Sequence, residues 1–142
     1  MSIRNLVLVF LAVMLTGGLV QSQETPQGVQ LANDALTIQF QPPLMVDGKN
    51  YFAGVQYTYA LLRGGTVHAV YASRFGSGDQ LKGKYRIASD TLCTTFPVSQ
   101  ELGMPSSDEQ CSHVYLLSDG SYQAWSISHD KLRATFRVRP VK

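Results

Sequence analysis

Three histidines, two cysteines and a Ser-x-Ser-His-Asp run are the side chains here with the most chemical potential. A metal centre needs three or four imidazole, thiolate or carboxylate donors that the fold can close around one ion. His68, His113 and His129 form no His-x-x-x-His or His-x-Glu spacing. His113 shares a predicted strand face with Cys111 and Tyr115, whereas His68 shares one with Thr66 and Val70. No metal site is assigned. A hydrolytic triad needs a base that touches the nucleophile and a third group that orients the base. Ser126, Ser128, His129 and Asp130 are near neighbours on a predicted hairpin, so their side chains diverge, and no Gly-x-Ser-x-Gly elbow is present. Asp108-Glu109 lies in a polar loop, and Gly76-Ser77-Gly78 lacks the Lys-Ser/Thr of a phosphate loop. The expectation is a protein with no catalytic residue and no cofactor.

The cysteines have a simpler use. Cys93 and Cys111 are the two in the chain, and with no Cys-x-x-Cys they pair by elimination as a structural disulfide. That demands an oxidising compartment, and the N-terminus supplies a route to one. Arg4 precedes an apolar run over residues 6–16, Gly17-Gly18 breaks it, and Val20-Gln21-Ser22 resembles a cleavage site. The run is shorter than the roughly 20 residues needed to cross a bilayer. Residues 1–22 are therefore read as a signal peptide, residues 23–30 as a polar linker and residues 31–142 as one domain, secreted or periplasmic and not membrane-spanning after cleavage.

The elements that must position these groups are strands. Alternating apolar and polar residues mark segments 55–62, 66–72, 83–87, 91–96, 111–117, 121–127 and 131–138. Arg63-Gly64-Gly65, Ser118-Asp119-Gly120 and His129-Asp130 read as tight connections. Asp47-Gly48-Lys49-Asn50 reads as a turn, residues 74–80 as a Gly-rich loop and residues 97–109 as a long loop. Residues 35–40 alternate like a strand, though a short helical turn over residues 31–36 is also allowed before Pro42-Pro43. Short connections favour antiparallel neighbours. The predicted fold is all-β, a single antiparallel meander curling into a half-barrel or small barrel with one disulfide. Its last strand buries Leu132, Ala134, Phe136 and Val138 and turns Arg133, Thr135, Arg137 and Arg139 outward.

Two surfaces of this sheet invite a partner. Arg133, Arg137 and Arg139, with Lys84 and Arg86, form a basic face suited to an anionic partner such as envelope polysaccharide, a lipid headgroup or an acidic protein. The net charge is only +2, which argues against nucleic acid. Seven tyrosines supply the second surface. Tyr57, Tyr59, Tyr71 and Tyr85 would line a pocket, because tyrosine combines apolar area with a polar tip. The leading expectation is an exported non-enzymatic binding or interaction module of the cell envelope or secreted milieu. The alternative is a small-ligand carrier with a Tyr-lined pocket inside the curled sheet.

The run Gly83-Lys-Tyr-Arg-Ile-Ala-Ser-Asp90-Thr-Leu-Cys93, followed by Cys111 and Asp119-Gly120, resembles a family of short exported proteobacterial proteins, domain-of-unknown-function family 995. The likeness spans residues 55–136, with Tyr85 where that family's pattern has Trp. It implies a periplasmic or secreted location and a β-rich fold, and brings no catalytic residue.

Overall fold

Period-2 alternation dominates the chain after the first 43 residues, and it builds one antiparallel sheet. In the computed structural model, residues 24–51, 55–73, 76–97 and 108–141 are described, without the side chains of 55, 70–73 and 76–80. The segment read as a signal peptide, residue 23 of the predicted linker and most of the predicted long loop fall outside these residues. A two-residue strand, β1 (Val29–Gln30), occupies the end of the segment read as a linker and is followed by α1 (Asn33–Gln39). Eight longer strands follow: β2 (Leu44–Asn50), β3 (Val55–Leu62), β4 (Thr66–Ser73), β5 (Gly76–Ala88), β6 (Thr91–Thr95), β7 (Gln110–Leu116), β8 (Tyr122–Trp125) and β9 (Leu132–Pro140).

From β2 to β9 each strand pairs with the next, and β9 returns to pair with β2. The meander is thus a closed eight-stranded antiparallel barrel, the tighter of the two predicted forms. Closure pairs both sides of every long strand and removes the exposed edges that invite aggregation. β1 adds beside β6 on the other half of β7, matching Gln30 with Tyr115.

Two predicted loops are strand. Asp47-Gly48 lies in the middle of β2 instead of at a turn, with Gly48 opposite Phe136 on β9 and Tyr57 on β3. A Cβ at Gly48 would sit 2.7 Å from both the Phe136 Cβ and the Tyr57 hydroxyl, so this glycine serves close packing. The Gly-rich stretch from residue 76 likewise begins β5, and an irregularity between Val70 and Ala72 accommodates it against β4.

The ambiguous segment near residue 35 is helical. Leu36 and Phe40, four residues apart, are buried on one side while Ile38 is exposed. The Asn33 and Asp90 side chains each accept from the other's backbone N–H at 2.8 Å, tying the helix start to the β5–β6 turn. At the other end of α1 the Tyr122 hydroxyl donates to Gln39 Oε1 at 2.7 Å. Phe40 packs 5.4 Å from Tyr122 and 6.0 Å from Phe136, ring centre to ring centre. The short helix therefore closes one end of the barrel with an apolar plug.

Cys93 and Cys111 are direct partners across β6 and β7, with Cα atoms 4.0 Å apart, and they are disulfide-bonded. The bridge joins β6 and β7, the strands that flank the predicted long loop. Among the described residues no helix is long and apolar enough to cross a membrane.

Candidate ligand-binding cavity

Among the described residues, the inward-facing side chains leave space between them. They surround a cavity of about 570 Å³, within the 300–1,000 Å³ typical of small-molecule sites. Sequence alternation determines which residues reach it. Ala124 on β8 and Ala134 on β9 are direct neighbours, and Ala134 is in turn opposite Asn50 on β2. Two alanines side by side leave room that larger residues would occupy. Tyr57 and Tyr59 line the cavity from β3, their rings stacked at 4.2 Å, and Phe96 lies 5.4 Å from Tyr59. Toward the α1 end the lining is apolar, with Val46, Leu61, Val114 and Phe136. Toward the opposite end it becomes polar, with Asn50, Gln110, Ser112, Asp108, Lys131 and Arg133. The cavity is therefore amphipathic along the barrel axis.

Arg133 departs from the predicted register. β8 ends at Trp125, and the β8–β9 ladder slips between Ala124 and Trp125, so that Leu132 takes the place opposite Trp125. This irregularity releases Arg133 from the outward row and brings it to the cavity rim. Its Nη1 donates to the Cys111 carbonyl at 2.7 Å and the Ser112 hydroxyl at 3.2 Å on β7. The guanidinium thus crosses the gap left where β8 stops.

The remaining basic residues do not form a free cationic face. Arg137 pairs with Asp119 at 3.0 Å and Arg139 with Asp47 at 2.6 Å. Arg86 Nε donates to Glu109 at 2.6 Å, while Lys84 is exposed on β5. The Arg139 hydrogen bond leads in holding the Asp47 carboxyl below its usual range, and Thr58 assists against the opposing effect of burial. The Arg86 hydrogen bond likewise lowers Glu109. For Asp119 the larger cause is the Ser121 hydroxyl and N–H, with Arg137 a lesser one.

Of the four predicted pocket tyrosines, Tyr57 and Tyr59 line the cavity. Tyr85 packs against the core instead, donating its hydroxyl to the Leu62 carbonyl at 3.1 Å, and burial raises its pKa. Tyr71 is opposite Tyr57 in the β3–β4 register, but its side chain lies outside the described residues. Phe96, Leu92, Thr94, Gln110 and Ser112 also line the cavity and escaped prediction. Their signal was the parity of β6 and β7: with Cys93 and Cys111 facing out, every alternate residue faces in.

The histidines that meet are His113 and His129, whose rings stack at 4.5 Å outside the barrel; His68 is exposed. His113 Nδ1 is 2.9 Å from Gln30 Nε2, and the Tyr115 hydroxyl donates to Gln30 Oε1 at 2.9 Å. These contacts hold β1 against β7. Ser126 donates to Asp130 at 2.6 Å and accepts from the Lys131 N–H at 3.1 Å. These bonds shape the turn and assemble no triad. Cys93, Cys111 and Glu109 converge within 4.8 Å, but disulfide sulfurs are not the thiolates that ligate metals.

In comparisons with known proteins, the chain matched no family model, no curated protein and no solved structure.

Proposed function

We propose that this protein is an exported, non-enzymatic carrier that holds one small, largely apolar molecule inside its barrel. The observation that carries this reading is the 570 Å³ cavity in a closed sheet, walled by Tyr57, Tyr59 and Phe96 and enlarged by Ala124 and Ala134. An eight-stranded barrel has an interior just wide enough either to be filled by its own side chains or to hold one small ligand. Paired small residues facing aromatic rings favour the second outcome. The disulfide supports an oxidising destination, in keeping with the apolar N-terminal segment.

An interaction module acting through the basic strand face has less support, because Arg137, Arg139 and Arg86 are already engaged by carboxylates. Native mass spectrometry of the exported protein is the direct test. One small molecule per chain, lost on denaturation, is expected. A ligand-free mass together with no uptake of Nile red, an apolar dye, would contradict the carrier reading.

A further inference from the structure

We infer that the ligand is a single-chain amphiphile with one anionic headgroup, seated with its chain in the barrel and its charge at Arg133 and Lys131. This deepens the carrier reading and rests on it.

The cavity supplies two environments along one axis. Its α1 end is apolar, and its opposite end carries, among the described residues, the charged groups Lys131, Arg133 and Asp108. Among the described residues, two cations stand against one carboxylate on that rim. Arg133 differs from the other strand arginines in its partners. Arg86, Arg137 and Arg139 each pair with a carboxylate, whereas Arg133 bonds only to the Cys111 carbonyl and the Ser112 hydroxyl among the described residues. Both of those bonds use Nη1, so Nε and Nη2 keep donor capacity at the cavity edge. A half-buried guanidinium is partly desolvated, and an incoming carboxylate or phosphate restores strong charge-assisted bonds. An apolar chain alone would gain nothing from it, and a cationic amphiphile would be repelled. Lys131, exposed on the same rim, adds attraction without fixed geometry.

The test compares three probes of equal chain length on the mature protein: dodecanoate, dodecanol and dodecyltrimethylammonium, each displacing Nile red. Dodecanoate should bind roughly tenfold more tightly than dodecanol, about the effect of one charge-assisted hydrogen bond. Arg133→Gln should collapse that preference by weakening dodecanoate far more than dodecanol. Because Arg133 also bridges β9 to β7, Lys131→Gln is the second variant; it should narrow the preference at an unchanged melting temperature. Rising salt should weaken dodecanoate and spare dodecanol. Equal binding of dodecanoate and dodecanol, tighter binding of the cation, or a preference that survives both variants would overturn the headgroup assignment and leave the carrier reading standing. Failure of every probe, Nile red included, would overturn the carrier reading itself.

Discussion

Gly48 on β2 faces Phe136 on β9 so closely that a Cβ on the glycine would lie 2.7 Å from that of Phe136. The pair lies in the seam where the last strand meets the first long one, and the barrel depends on it. Gly48→Ala should destabilise the fold by about 1–3 kcal/mol through overpacking. Gly64→Ala provides the contrast: its Cβ would meet nothing within 4 Å, and only the positive φ of 83° opposes it, costing about 1 kcal/mol. Denaturant titration of the two variants checks the order. Equal losses would contradict the seam packing.

Alternation on β9 makes a second prediction. Phe136 is 5% exposed and stacks on Tyr122 at 5.4 Å, so Phe136→Ala should cost about 3–5 kcal/mol. Arg137 is exposed in a surface ion pair, and Arg137→Ala should leave the melting temperature nearly unchanged. Similar losses from both would contradict the register.

That strand was legible in sequence because its two faces differ so sharply, and the disulfide because no other cysteine competes. Barrel closure was half legible. Nothing local in Leu44–Asn50 announces its pairing with a strand some 90 residues later, and Asp47-Gly48 imitates a turn. The glycine is required by tertiary contact with Phe136 and Tyr57, which a local reading cannot see. Arg133 was misplaced for a related reason. Strict alternation carries it outward, and the slip that redirects it arises from where β8 stops. Tyr57 and Tyr59 were found as pocket residues by type, whereas the space they face comes from Ala124 and Ala134, whose smallness means nothing until their strands are neighbours.

The disulfide should contribute about 3 kcal/mol by restricting an 18-residue loop in the unfolded chain. Peptide mapping without reductant should recover Cys93 and Cys111 together, and Cys93→Ser with Cys111→Ser should lower the melting temperature without abolishing the barrel. Two freely alkylated thiols in protein taken from its native compartment would contradict the pairing.

Acid should weaken the β2–β9 seam. Asp47 has its pKa lowered, chiefly by the Arg139 hydrogen bond, so its stabilising contribution is present above the ordinary carboxylate pKa of about 4 and is lost as pH falls through the lower folded value. Asp47→Asn should flatten that part of the stability–pH curve below about pH 4. Because the pair is largely exposed, raised salt should shrink the effect. An acid limb identical to wild type would contradict the assignment.

The central claim is that the barrel interior is a ligand site, and filling it is the most direct test. Nile red titration should show saturable binding at one dye per chain in the wild type. Ala124→Leu and Ala134→Leu, checked for retained folding by circular dichroism, should each weaken that binding at least about tenfold, since a Leu side chain in either position occupies the space the dye needs. Outward-facing Thr58→Leu, on the other side of the same barrel wall, should leave it unchanged. Dye binding that is undiminished in both folded alanine variants would contradict the account.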